Sequence, residues 1–380
     1  MNFELTREQK LTRQMIREFV NKEIKPLAAE IDKTEKFPLE TIDKMRKSGI
    51  KGMSYPTEYG GSGSDYITYV LAVEEISKAC ASTACVYAVN TGLVASILLK
   101  FGTEQQKKKY VPELLNKGNK IGAFALTEPN AGSDASAQQT TAVDKGDYYL
   151  LNGTKTFITN AEYADTFIVM AMTDKSKGVK GISAFIVEKD MEGFEIGKIE
   201  EKCGVRASST GELILSNVKV PKENLLGNLG EGFKIAMTGL DGGRISIAAQ
   251  GLGLAEAALH EAIEYTKKRK QFGKPISMNQ GIQWEIAECA TKIEAARGLV
   301  YKAAWLKQEG FPFSKEAAMA KLYATELAME VANKALQMHG GYGYIKEYPI
   351  ERIFRDAKIT SIYEGTSEIQ KIVIARQILK

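Results

Sequence analysis

The sequence predicts a mainly α protein with a small central β domain, and two observations carry that prediction. Apolar residues recur at helical spacing from the N-terminus to about residue 120, and again over the last 150 or so residues. Between these stretches the texture changes to β-branched and aromatic residues with period-two runs. The expected division is an N-terminal α-helical domain over 1–120, a central β domain of sandwich or open-barrel type over 121–225, and a C-terminal helical bundle domain over 226–380. At 380 residues, 44% hydrophobic and 26% charged, the chain has mass for two or three cores.

The first helix is signalled by Thr6 with Gln9, a capping-box spacing, followed by Leu11, Ile16, Phe19 and Val20 at helical intervals. Further helical runs are LETIDKMRKSGI, DYITYVLAVEEISKAC and EQQKKKYVPELLNK, with SYPTEYGGSGSDY as a loop between two of them. In the β region, strands are expected in DYYLLNGTKTFITN, ADTFIVMAMTD, KGISAFIVEKD and GELILSNVKVP, with Asn152-Gly153 as a tight hairpin turn. Pro221 and KENLLGNLGEG close the region. Long helices are then expected at 231–268, 279–308, 314–339 and 366–378, whose Ala- and Met-rich faces suit close antiparallel packing.

Composition excludes several functions. The four cysteines, Cys80, Cys85, Cys203 and Cys289, have no CxxC spacing and read as buried free thiols. Only His260 and His339 are present, which argues against a His-rich metal centre and against a Ser-His-Asp triad. The net charge of +4 carries no block long enough for a nucleic-acid arm, and KKRK at 267–270 reads as a helix end or a phosphate contact. Neither a secretory leader nor about 18 unbroken apolar residues is visible, so a cytoplasmic location without a membrane partner is expected. Chemistry must rest on carboxylates, a cofactor, or both.

Three segments are candidates. Gly251-Leu252-Gly253 begins like a dinucleotide fingerprint but has Glu256 in the sixth place and lies in a helical run, which fails the context the motif needs. FALTEPNAGSDAS, 124–136, offers Thr127, Ser133 and backbone amides in a turn, suited to an anion or ring edge, or equally to a plain connection. SIYEGTSEIQ, 361–370, sets Glu364 on a turn behind apolar residues, where desolvation would raise its pKa toward that of a general base. Read alone, Glu364 is better explained as one more solvated carboxylate.

The ordered set FALTEPNAGSDAS, TKTFITN, RKQFGKPI with Gln280, and QMHGGYGY followed by YEGTSEIQ resembles the acyl-CoA dehydrogenase family, most closely its short-chain butyryl-CoA members. The resemblance covers the whole chain and implies a C-terminal four-helix bundle and a homotetramer built as a dimer of dimers. It implies FAD, with Phe124, Leu126, Thr127 and Ser133 at the turn over the flavin and Phe157, Ile158 and Thr159 on the strand beside it. Arg269, Gln280, Gln337, Met338, His339, Gly340 and Gly341 would reach the FAD of a neighbouring subunit, and Thr366, Ser367 and Glu368 its adenosine diphosphate end. Ser133, Asp241, Gly242, Gly243, Arg244 and Gly365 would contact the CoA thioester, and Glu364 would be the catalytic base.

The activity so implied is α,β-dehydrogenation of a short acyl-CoA to the trans-2-enoyl-CoA, or the reverse reduction, with hydride passing to flavin and electrons exchanged with an electron-transferring flavoprotein. Alternatives of the same fold are a reductase of a functionalised enoyl-CoA, a lyase, or a CoA-binding protein. CVYAVNTGL, 85–93, is expected to help form the acyl pocket, where the bulk and polarity of Tyr87 and Asn90 leave a functionalised acyl group open.

Overall fold

The computed structural model describes residues 4–379. Its first helices are α1 (Arg7–Phe19), α2 (Ala28–Thr34), α3 (Leu39–Lys47) and α4 (Tyr66–Ala79). The Thr6 capping box is formed: its hydroxyl accepts from Gln9 N at 3.2 Å, while Gln9 Oε1 accepts from Thr6 N at 2.9 Å. Helix α4 is buried almost throughout and is capped by Asp65. A helical rod follows, made of α5 (Ala81–Tyr87), a π-helical stretch Ala88–Ala95 and α6 (Ser96–Phe101), and then α7 (Glu104–Leu114). The rod Ala81–Phe101 has the length and hydropathy of a membrane span, yet 78% of its apolar window is buried inside the protein.

The central strands are β1 (Gly122–Ala125), β2 (Thr141–Asp144), β3 (Tyr148–Thr159), β4 (Thr166–Met172), β5 (Ile182–Glu188), β6 (Phe194–Ile199), β7 (Thr210–Pro221) and β8 (Leu225–Leu226). They form one sheet in the order β6-β7-β3-β2-β4-β5-β8, with β1 pairing parallel to β4. The two halves meet through a single pair, Thr141 with Met172, so the sheet opens there. Strand β4 is buried at all seven positions. Its alternate residues serve different cores: Phe167, Val169 and Ala171 face one apolar cluster, and Ile168, Met170 and Met172 the other.

Asn152-Gly153 is not a hairpin turn. Strand β3 runs straight through it, and the pair marks a register shift against β7. Gly153 has φ 151° and lies against Thr140, where a Cβ would come 2.7 Å from the Thr140 Cα, so the glycine is needed for close backbone approach at a bulge.

Helix α8 (Gly232–Lys268) is followed by the hairpin β9 (Lys270–Gln271) and β10 (Lys274–Pro275), then α9 (Gln280–Gln308), α10 (Ser314–His339), α11 (Pro349–Thr360) and α12 (Ser367–Ile378). Gly251 and Gly253 lie inside α8 as packing contacts: a Cβ at Gly251 would meet the Ala324 carbonyl at 2.9 Å, and one at Gly253 the Glu74 carbonyl at 2.5 Å. Small residues therefore let α8 approach α10 and α4 closely. Cys80, Cys85 and Cys289 are buried, but Cys203 is exposed, contrary to the expectation of four buried thiols.

Candidate active site

Glu364 and Gly365 lie between α11 and α12 with consecutive positive φ values of 54° and 92°. A left-handed glutamate costs of order 1 kcal/mol and persists only where its surroundings over-determine it. Here the Gly365 carbonyl accepts from Lys321 Nζ at 2.9 Å and from Gln370 Nε2 at 2.8 Å, and the same amide reaches the Glu364 carbonyl at 3.3 Å. Ser367 N donates to Ser361 O at 3.0 Å, and the Thr366 hydroxyl caps α12 through Ile369 N. The turn is therefore fixed at both ends.

The side chain that this turn presents is half-buried as a whole, but its Oε2 is buried and has no hydrogen-bond partner among the described residues. It faces Gly243 of α8, where a Cβ would stand 2.5 Å from Oε2, so a side chain there would push the carboxylate aside. Burial raises its pKa to about 7, against the opposing pull of Arg244 and Lys321. A carboxyl group so placed is poised near neutrality between acid and base.

Gly243 belongs to the segment Asp241–Arg244, which borders the carboxylate. Arg244 is 5% exposed, bonds Asp241 through Nη1, and leaves Nε buried without a partner. Ser314 donates to Asp241 at 3.0 Å. Burial raises the Asp241 pKa despite Arg244 and Ser314. The Gly242 carbonyl accepts from Tyr66 at 3.4 Å, and the Lys307 ammonium stands 3.9 Å from the Tyr66 ring centroid. Glu364, Gly365 and Asp241–Arg244 are thus brought together, whereas Ser133 is exposed on the loop after β1.

That loop and β3 form a second surface. The buried pair Lys155–Glu128, at 2.8 Å, locks them: Lys155 also donates to Leu126 O at 3.0 Å and Gln138 Oε1 at 3.1 Å, while Glu128 accepts from Gln139 N and Thr140 N. Thr156 N bonds Thr127 O at 3.0 Å, so the two predicted flavin segments are adjacent. At the bulge between Lys155 and Ile158, Phe157 takes φ 57° and is 64% exposed, while Ile158 turns into the core and Thr159 is half-buried. An aromatic ring held in the open by a rigid bulge, beside half-buried Phe124 and Thr127, suits a planar ring system and so fits a flavin.

Arg269 and Gln337–Gly341 meet elsewhere, in a groove of about 530 Å³ also lined by Tyr265 and Tyr342. The Arg269 guanidinium lies 5.5 Å from the Tyr342 ring centroid and has no carboxylate partner among the described residues. Such a cation beside the open glycines Gly340 and Gly341 fits a phosphate-bearing ligand. His339 is buried, donates from Nδ1 to Ala335 O at 2.7 Å, and stacks on Tyr265. Gln280 is exposed in the first turn of α9, outside the groove lining.

This groove and the Glu364 turn lie at opposite ends of α10. Lys321 and His339 are 18 residues apart in one helix, or about 27 Å at 1.5 Å per residue. One chain alone does not bring the two sets together. The hydroxyls of Thr366 and Ser367 are engaged by Ile369 N and Glu326, leaving Glu368 as the exposed member of that trio.

Some sequence expectations change. Asn90 donates to Leu114 O at 3.0 Å and accepts from Gly122 N at 2.9 Å, tying the π-helical stretch to α7 and β1, while Tyr87 donates to Ile50 O at 3.1 Å. Their polarity is consumed by the framework and gives no argument for a functionalised acyl group. Lys321, Gln370, Lys155 and Glu128 were not anticipated. Lys321 had a signal: in AAMAKLYATELAM it occupies the buried register shared with Ala317, Ala324 and Ala328.

The sequence matches the three family models described as acyl-CoA dehydrogenase N-terminal domain over residues 6–118, middle domain over 123–218 and C-terminal domain over 230–379. A protein of Clostridium acetobutylicum named acyl-CoA dehydrogenase, short-chain specific, is 57% identical over 380 residues, covering 100% of both chains. Butyryl-CoA dehydrogenase from Megasphaera elsdenii is 50% identical with a TM-score of 0.98, again covering 100% of both chains. A chain from a structure described as the electron-transferring flavoprotein of Acidaminococcus fermentans, addressing flavin-based electron bifurcation, is 55% identical with a TM-score of 0.98 and 100% coverage of both.

Proposed function

This chain belongs to the acyl-CoA dehydrogenase family of FAD oxidoreductases, and on that premise we propose that it removes the α-proton of a short-chain acyl-CoA with Glu364 as the base. The observation that carries this reading is the buried, unpartnered Oε2 of Glu364, held against Gly243 by a doubly left-handed turn. A carboxylate without donors is the stronger base, and a pKa near 7 matches proton transfer at neutral pH. Bound substrate removes further water from the carboxylate and moves it in the same direction.

The α-proton of a thioester leaves only if the charge developing on the carbonyl oxygen is stabilised. The Glu364 N–H, which donates to no other described residue, is available for that oxygen. Asp241–Arg244, Gly365 and Ser133 are assigned to the CoA thioester. Phe124, Leu126, Thr127, Ser133 and Phe157–Thr159 would hold the isoalloxazine, and Thr366–Glu368 the adenosine diphosphate end. FAD, when bound, supplies the acceptor for the β-hydride.

Arg269, Gln280 and Gln337–Gly341 would serve the FAD of a second copy, in a homotetramer. The 27 Å or so along α10 between the groove and the Glu364 turn supports this, as does Phe272, which is fully exposed at the tip of the β9–β10 hairpin with φ 51°. Likeness to the chain from the Acidaminococcus fermentans flavoprotein structure supports an electron-transferring flavoprotein as redox partner.

The test is Glu364→Gln. The variant keeps its FAD and binds butyryl-CoA, but anaerobic bleaching of the flavin slows by about 10³-fold or more. Bleaching near the wild-type rate would place the base elsewhere.

A further inference from the structure

Lys321 has no exposed surface, and its ammonium makes one hydrogen bond among the described residues, to the Gly365 carbonyl. Around it on the same face of α10, Ala317, Ala320, Ala324 and Ala328 are all buried. A lysine in such a stripe is costly to bury, and an apolar residue would pack there more cheaply. The charge is therefore kept for what it touches, and what it touches is the carbonyl of Gly365, the residue after Glu364.

Gly365 is the second left-handed residue of the turn whose first, Glu364, presents its side chain to Gly243, so holding the Gly365 carbonyl holds the turn. A donor fixed on a long buried helix holds that carbonyl from beneath, while Gln370 holds it from α12. We propose that Lys321 is a positioning residue for Glu364, fixing the left-handed turn that aims the carboxylate and favouring its ionised form by charge. This inference rests on the assignment of Glu364 as base and adds to it the element that holds the base in place.

The charges around the pair are few. Arg244 from α8 and Lys321 from α10 face Glu364, and Tyr69, Cys85 and Tyr363 stand near it as groups that burial keeps protonated. Lys321 in turn faces Glu364, Arg244, Glu326 on its own helix and Glu368 on α12, and burial lowers its pKa to about 8. Removing the lysine leaves Arg244 as the single cation against Glu364 among the described residues.

Two variants of the FAD-loaded protein separate the hydrogen bond from the charge. Lys321→Met loses both, whereas Lys321→Gln loses the charge and retains a donor. In anaerobic flavin bleaching by butyryl-CoA across neutral pH, both variants are expected to move the midpoint of the rate profile upward by about half a unit to one unit. The plateau rate falls about tenfold in Lys321→Met and stays within about threefold of wild type in Lys321→Gln.

A midpoint unchanged in both variants overturns the proposal. So does an equal loss of plateau in both that tracks loss of FAD and of thermal stability, since that is a packing effect. Should the methionine variant not fold, the midpoint of the glutamine variant decides alone. Glu364→Gln is run alongside: wild-type bleaching there refutes the base itself, while its loss together with unaltered Lys321 variants refutes only the role of the lysine.

Discussion

Glu74 and Glu364 are both carboxylates removed from water, and they behave in opposite ways. Glu74 has no exposed surface, yet Arg13 at 2.6 Å, Arg297 at 2.9 Å, Lys78 at 3.3 Å and Tyr301 at 2.5 Å surround it, joining α1, α4 and α9 at one point. Burial opposes its ionisation, but these partners together hold its pKa below the ordinary value. Glu364 is less deeply buried and has no donor on Oε2 among the described residues, and burial raises its pKa to about 7. Partners, and not depth, decide whether a buried carboxylate is a tie or a reagent.

The largest effect expected from this contrast is on stability in the first region. Arg297→Met strips Glu74 and Glu256 of a shared cation and should destabilise the fold by about 3 kcal/mol, read as a fall in the urea midpoint. A change within error would mean that Arg13 and Lys78 suffice. The neighbouring Glu75 sharpens the point: burial opposes its ionisation, but Arg17, Lys78 and Arg13 lower its pKa to about 2. Its contribution is present above the unfolded value near 4.5 and is lost as pH falls through about 2, so wild type should lose stability over that acidic window.

The contrast extends to cations. Arg297 is enclosed by carboxylates, whereas Arg269 has none among the described residues and faces an open groove. Arg269→Glu should weaken FAD retention by about tenfold or more through charge reversal at a phosphate contact. Unchanged flavin content after gel filtration would count against that assignment.

At Glu364 itself the expected effect on stability has the opposite sign. Its folded pKa lies above the unfolded value, so ionised Glu364 costs stability as pH rises through about 7. Glu364→Gln should therefore be more stable than wild type by up to about 3 kcal/mol at mildly alkaline pH and equal to it in acid. A lower melting temperature across the whole range would mean that the carboxylate is a structural tie like Glu74.

How much of this was legible in the residues depended on how local the cause was. The Thr6–Gln9 capping box and the long α8, α9 and α10 follow from spacing along the chain and were readable. Asn152-Gly153 misled because glycine serves a bulge as readily as a turn, and only the presence of Thr140 across the sheet distinguishes the two. Helix α11 was not anticipated although Pro349 opens it and Ile350, Ile353 and Ala357 keep its register. The site divides in the same way. Glu364 could be singled out by its turn, but its isolation depends on Gly243, more than a hundred residues earlier, having no side chain. The framework bonds of Tyr87 and Asn90 were not legible because their partners Ile50, Leu114 and Gly122 are distant in sequence.

Glu364 is basic at neutral pH because its Oε2 is buried and without a hydrogen-bond partner among the described residues. The most direct measurement is the pH dependence of anaerobic flavin bleaching by butyryl-CoA in a single turnover, for wild type and Glu364→Gln in parallel. Wild type should rise with a midpoint at or above pH 7, and the variant should show a rate lower by orders of magnitude with no such rise. A wild-type midpoint at an ordinary carboxylate value, or a variant that follows the wild-type curve, would contradict it.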